Sequence, residues 1–194
     1  KVPLADRTIA SLNSASHVEV RMTPRLRRVV LLEGEAWFEV AKNPDQPFVV
    51  EAGNVRVRAV GTAFSVRRRG NGADVVVEAW SDTGTADRRQ IAAGEEAFIA
   101  EDAAVIHVAD APDEVERKLA WRDGNIILNN ETLVDAVAEF NRYNAQKIVI
   151  ADPAIRNTRF VGQYRIDQPE RFADAVHSLL NVPTSTGSDG IIIG

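Results

Sequence analysis

The hydrophobic period changes once along this chain, and that change constrains the fold more than any other feature. From Thr8 to about Val108 the period is two. Val18, Val20 and Met22 alternate with Glu19 and Arg21; Ala36, Phe38 and Val40 alternate with Trp37 and Glu39; Val55, Val57 and Ala59 alternate with Arg56 and Arg58. Alternation of this kind sends one set of side chains into a core and the other into water, which is the pattern of strands. Turn residues punctuate it at Glu33-Gly34, Lys42 to Pro47, Ala52-Gly53-Asn54, Gly70-Asn71-Gly72 and Ala93-Gly94. Many short strands joined by tight turns predict a jelly-roll-like β-sandwich over residues 1–111.

After Pro112 the period becomes helical. Residues 112–120 are charged and read as a linker or short helix, and 121–194 as a second domain. There a strand at Asn125 to Leu128 precedes an amphipathic helix with Leu133, Ala136, Val137, Phe140 and Tyr143 on one face. Thr132 and Asp135 stand at capping-box spacing. Strands follow at Ile148 to Ile150 and Thr158 to Tyr164. A second helix is predicted with Asp167 as N-cap, Pro169 in the first turn, and Phe172, Ala175, Val176, Leu179 and Leu180 on its apolar face. Ile191 to Ile193 closes the chain as a strand. The two helices match at a constant offset, Leu133, Ala136, Val137 and Phe140 aligning with Phe172, Ala175, Val176 and Leu179. A repeated unit of this kind predicts β-α-β-β-α-β, two helices on one small sheet.

Composition removes several function classes. A chain of 194 residues, 45% hydrophobic and 26% charged, can bury a core without disulfides or metal. Its 23 Lys+Arg against 28 Asp+Glu give a net charge of −5, spread evenly along the chain, which opposes phosphate-backbone binding. With no cysteine there is no thiol nucleophile, thiolate metal site or disulfide. No apolar run exceeds four residues, too short to span a bilayer. The chain starts at Lys1 and its one methionine is Met22, so it reads as a fragment with its natural N-terminus upstream.

Catalytic patterns are sparse. His17, His107 and His177 fall in three different predicted elements and form no metal-binding spacing. Ser65 and Ser81 have no adjacent base and no nucleophile-elbow glycines. Glu33 or Glu35 with Glu78 is a candidate acid/base pair for a glycosidase, set against their reading as the solvent faces of strands. Arg67-Arg68-Arg69 before Gly70-Asn71-Gly72 reads as a solvated hairpin tip because no aromatic stripe accompanies it. The residues alone therefore describe a two-part binding module.

Three ordered motifs go further. Gly34-Glu35-Ala36-Trp37-Phe38-Glu39-Val40-Ala41-Lys42, then Pro47-Phe48-Val49-Val50, then Val55-x-Val57-x-Ala59-Val60-Gly61-Thr62-x-Phe64-x-Val66 resemble the FecR family of periplasmic anti-sigma regulators. Leu4-Ala5-Asp6, Leu12-Asn13-Ser14 and Ala93-Gly94-Glu95-Glu96-Ala97 extend the likeness; Glu78-Ala79-Trp80-Ser81 departs from the family's Glu-Gly turn. Ala120-Trp121-Arg122-x-Gly124, Asn141-x-Tyr143, Ile148-x-Ile150-x-Asp152-Pro153 and Phe160-x-Gly162-x-Tyr164 resemble the family's C-terminal domain, which is similar to the secretin and TonB short N-terminal fold.

The resemblance implies the periplasmic part of a single-pass inner-membrane regulator in a Gram-negative bacterium, with no cofactor and no metal. The sigma factor would be held by the absent N-terminal region, and the membrane crossed by an absent segment. The implied partner is the periplasmic signalling domain of a TonB-dependent outer-membrane transducer, of the kind that imports ferric siderophores, with a periplasmic protease acting downstream. An envelope structural or glycan-binding module is the alternative. Because small sheets leave unpaired strand edges, the expected contact edges are Val161-Gly162-Gln163-Tyr164-Arg165 and Ile191-Ile192-Ile193. Some relatives break their backbone at the bond matching Gly61-Thr62. Thr62 would be the nucleophile, with His107 or Glu35 as base, against the reading of Gly61 as a strand bend.

Overall fold

The computed structural model describes residues 1–70, 72–77, 81–83, 89–92, 94–100, 105–188 and 190–194. The chain divides into two compact units, Lys1–Leu119 and Ala120–Gly194.

In the first unit the period-two segments become strands β1 (Val2–Pro3), β2 (Ile9–Leu12), β3 (His17–Thr23), β4 (Leu26–Glu33), β5 (Glu35–Glu39), β6 (Phe48–Ala52) and β7 (Val55–Ala59). They continue as β8 (Ala63–Arg69), β9 (Gly72–Val77), β10 (Ser81–Thr83), β11 (Arg89–Ile91), β12 (Glu95–Ala100) and β13 (Val105–Asp110). Among the described residues these form two sheets, ordered β1-β2-β5-β8-β9-β12-β13 and β11-β10-β7-β6-β4-β3. Their inner faces share one core, in which Phe38 of β5 meets Phe48 of β6 at 5.4 Å between ring centroids and Phe64 of β8 at 5.7 Å. The alternation predicts burial correctly: in β7, Val55, Val57 and Ala59 are buried while Arg56 and Arg58 are exposed.

Two stacked β layers are thus as expected. A jelly roll pairs its strands antiparallel throughout, whereas here β4 and β6 run parallel. The reason is connectivity. After β4 the chain crosses to the other sheet for β5 and returns for β6, so β4 and β6 point the same way.

Residues 112–119, read as linker or short helix, are helix α1 (Pro112–Leu119) and belong to the first unit. Asp113 and Glu114 in its first turn and Arg117 and Lys118 in its last complement the helix dipole. Val115 and Leu119 are buried, the helix packs on β9 and β12, and Lys118 Nζ lies 2.5 Å from Glu96 Oε2 of β12. The outer side of this sheet is buried as well: Trp37, Ser65 and Val76 lie on it in successive register across β5, β8 and β9.

The second unit contains β14 (Asn125–Thr132), α2 (Leu133–Tyr143), β15 (Ile148–Ile150), β16 (Arg159–Arg165), α3 (Pro169–Leu180), β17 (Thr184–Gly187) and β18 (Gly190–Ile193). Thr132 caps α2 by accepting the Asp135 N–H at 3.3 Å, and Leu133, Ala136, Val137 and Phe140 are buried as predicted. After the helix, the Asn141 side-chain amide pairs with Ile148 as a strand would, donating Nδ2–H to its carbonyl (2.8 Å) and accepting its N–H (2.7 Å). Asn144 donates to the carbonyls of Phe140 and Ile166. Phe172 of α3 stacks on Phe140 at 4.5 Å and meets the edges of Tyr164 at 5.1 Å and Phe160 at 5.9 Å.

Three expectations for this unit are corrected. Instead of one sheet there are two among the described residues: β14 pairs antiparallel with β16, while β18 pairs parallel with β15 and antiparallel with β17. The additional strand, Thr184-Ser185-Thr186-Gly187, carries no hydrophobic residue and so has no period to read. The N-cap of α3 is Gln168, not Asp167, whose carboxylate instead pairs with Arg165 at 3.3 Å. Pro169 at the start of α3 has no N–H to cap. Finally, the buried face of α3 is Phe172, Ala173 and Val176; Leu179 is 65% exposed. The helix match therefore holds at Leu133/Phe172 and Val137/Val176 and fails at Phe140/Leu179, because Leu179 sits on the flank of the core-facing arc in the last turn.

Candidate functional site

Gly61 and Thr62 lie between β7 and β8, where the chain passes from one sheet to the other. The neighbouring passage from β5 to β6 runs beside it. Val40 N–H donates to the Thr62 carbonyl (2.9 Å) and Asn43 N–H to that of Val60 (2.8 Å). Gly61 has φ +153°, and a Cβ there would stand 2.8 Å from the Lys42 Cα. Glycine is required by both conformation and space. Thr62 is buried, and its Oγ1 has no hydrogen-bond partner among the described residues.

The passage beside it is held by Arg27, a residue singled out by no motif. Its side chain is 3% exposed and donates from Nη1 to the Ala41 carbonyl (2.8 Å), from Nη2 to that of Asn43 (3.2 Å) and from Nε to that of Gln46 (2.5 Å). Asp6 supplies the counter-charge at 3.1 Å. Thr8 Oγ1 donates to Asp6 (2.8 Å) and accepts the Ala41 N–H (3.2 Å). One guanidinium therefore fixes three carbonyls of a sheet-to-sheet passage, which suits the planar fork of arginine. A signal was available, since Arg27 occupies the inward phase of β4 together with Val29 and Leu31.

Other candidates are dispersed. Glu35 is buried, accepting from Asn13 Nδ2 (2.9 Å) and Ser65 Oγ (3.1 Å), so its reading as a solvent-facing carboxylate is corrected. Five register positions separate it from Val40, the partner of Thr62, or roughly 17 Å along the strand. Glu35 is therefore not a base for Thr62. Glu33 is exposed opposite His17. Glu78 and the side chains of Ser81 and His107 lie outside the described residues. His177 Nδ1 lies 2.6 Å from the Val182 carbonyl. Arg68 donates to the Leu32 carbonyl and Arg69 pairs with Asp74 at 2.7 Å, at the β8–β9 hairpin. No group of residues able to hold a metal occurs among the described residues.

The two expected strand edges fare differently. Ile191-Ile192-Ile193 is the middle strand of its sheet, paired on both sides, so it is not an edge. Its hydrophobic run reflects that central position. Val161 to Arg165 lies on β16, which pairs with β14 alone among the described residues. Because Ile166 N–H bonds to the Gly124 carbonyl, the narrow pairs are Ile126/Tyr164 and Leu128/Gly162. Val161, Gln163 and Arg165 consequently turn their main-chain groups away from β14, and Val161 is 73% exposed. Gly162 has φ +155°, and the Tyr164 ring folds back to 3.1 Å from where its Cβ would be. Burial pushes the Tyr164 phenol above its ordinary pKa of 10.0.

These features define a β-rich, two-unit protein whose buried polar groups hold its loops in place. Residues 1–79 match the sequence profile of the family described as FecR protein. No curated protein sequence matches the chain significantly. Two crystal structures of a candidate anti-sigma factor from Parabacteroides distasonis ATCC 8503 are similar to it. The one at 1.65 Å resolution has a TM-score of 0.78 at 19% identity, covering 100% of this chain and 92% of that one. The one at 2.50 Å has 0.76 at 20%, covering 99% and 92%. At such identity the likeness shows a shared fold. No described helix is long and apolar enough to cross a membrane.

Proposed function

We propose that this chain is the periplasmic, signal-receiving region of a membrane-anchored anti-sigma regulator. The observation that carries the reading is the FecR match over residues 1–79, joined to a likeness to candidate anti-sigma factors over the whole chain. In this reading the chain binds the periplasmic signalling domain of a TonB-dependent outer-membrane transducer serving ferric-siderophore import. Binding controls release of a sigma factor held by a region N-terminal to this one, through periplasmic proteolysis.

The edge of β16 is the contact we favour, because Val161 and Gln163 offer main-chain donors and acceptors to an added strand, while the outward carbonyl of Arg165 already accepts the Gln168 N–H. The test is calorimetric titration of the chain with purified transducer signalling domains from the same organism. Gln163→Pro removes one outward donor and should weaken binding by about tenfold or more. Binding of a transducer domain with affinity unchanged in a folded Gln163→Pro variant refutes the edge. Binding to none of these domains refutes the transducer reading.

A further inference from the structure

We infer that β17 is a self-complementary edge through which two copies of this chain associate, and this does not depend on the transducer reading. The hydrogen-bond phase of the terminal sheet decides which main-chain groups are open. Gly194 N–H donates to the Pro183 carbonyl (2.9 Å), which makes Pro183/Gly194 a narrow pair, and with it Ser185/Ile192 and Gly187/Gly190. Ile191 N–H bonds to Lys147 and the Ile193 carbonyl accepts from Ala151, both on the β15 side, in agreement with this phase. Thr184 and Thr186 therefore direct their N–H and C=O groups outward. At the far side of the same sheet, the Ile148 main chain is occupied by the Asn141 side chain.

The open groups are placed symmetrically about Ser185, and that symmetry selects the occupant. An antiparallel second copy sets Thr184 opposite Thr186 and Thr186 opposite Thr184, so all outward donors meet acceptors, with the two Ser185 residues facing each other on the dyad. β17 carries no charge and no proline, the devices that normally blunt an edge, whereas β3 carries Glu19 and Arg21. Ser185, Thr186 and Gly187 are all exposed. On the outer face, Ser185 is in register with Ile192 (47% exposed) and Ile192 with Val149 (52% exposed). Pairing turns this half-exposed row into one continuous ridge across six strands, β15-β18-β17 and their symmetry mates.

Sedimentation velocity of the 194-residue chain from micromolar to near-millimolar concentration tests this, with hydrogen exchange as a second readout. A concentration-dependent dimer is expected, with slower exchange at the Thr184 and Thr186 amides as it forms. Ser185→Asp sets like charges face to face on the dyad and should weaken association by roughly fivefold or more without altering the fold. Thr186→Pro removes an outward N–H and should act likewise. A chain that stays monomeric throughout the range overturns the inference. So does a dimer whose affinity Ser185→Asp leaves unchanged, and this variant alone decides should Thr186→Pro not fold.

Discussion

The buried Arg27 on β4 forms an ion pair with the half-buried Asp6, 3.1 Å away, and so ties the N-terminal segment to the passage between β5 and β6. Removing one partner of a buried pair strands the other charge. Arg27→Leu also leaves the carbonyls of Ala41, Asn43 and Gln46 unbonded. We expect a loss of about 3–5 kcal/mol in urea unfolding. Asp6→Asn should cost less, because its amide can still bond Thr8 and the guanidinium keeps its three carbonyls. Equal losses for the two variants would show that the carbonyl contacts contribute little.

Two glycines should differ in their response to alanine. At Gly61 the added methyl meets the Lys42 backbone, which has no rotamer to change. At Gly162 it meets the Tyr164 ring, a side chain able to move. Both positions also strain φ, at a cost of roughly 1–3 kcal/mol each. Thermal unfolding should therefore rank Gly61→Ala as the more damaging. Adding Tyr164→Ala should recover part of the Gly162→Ala loss, and a strictly additive pair would mean that ring and methyl do not compete.

The period-two and helical stripes were legible because they record burial directly. Val55, Val57 and Ala59 in β7 and Leu133 to Phe140 in α2 took their expected faces for that reason. β17 was illegible because it is stabilised by main-chain pairing with β18, which leaves no mark on its Thr, Ser and Gly side chains. The β16 edge and the role of Ile191 to Ile193 depended on which strands are neighbours, a property of the whole unit. Glu35 misled for a related reason: it lies on the outer phase of β5, and an outer phase is normally wet. The chain buries that face and satisfies Glu35 with Asn13 and Ser65.

Tyr164 makes the second unit sensitive to alkali. Its phenol titrates above the ordinary 10.0 because burial disfavours the phenolate. For an acid whose folded pKa is raised, the neutral form is favoured on folding. That contribution is complete below the unfolded pKa and is lost as pH rises through the folded one. Stability should thus fall from about pH 10 upward, and Tyr164→Phe should flatten the fall. Phenolate absorbance on a Tyr143→Phe background reads the titration of Tyr164 separately. A midpoint at or below 10.0 would contradict the burial argument.

The bond between Gly61 and Thr62 should remain whole. Cleavage would begin with Thr62 Oγ1 attacking the Gly61 carbonyl carbon, breaking the C–N bond to leave an ester and a free Thr62 amine. Water would then open the ester to a Gly61 carboxylate and the Thr62 hydroxyl. Such a step needs a base at the hydroxyl and donors at the oxyanion. Glu35 lies roughly 17 Å away along the strand. The Thr62 Oγ1 has no hydrogen-bond partner among the described residues, so no base among them is in place to take its proton. What the site displays is a sheet-to-sheet corner that requires glycine, followed by a buried hydroxyl carried at a cost. Thr62→Val exchanges that hydroxyl for a methyl of similar size and should stabilise the chain by about 1 kcal/mol. Denaturing mass spectrometry over several days should show a single species at 21.2 kDa for the native chain and for Thr62→Ala alike. Fragments ending at Gly61 and beginning at Thr62 in the native chain, absent from Thr62→Ala, would make the corner a scissile one.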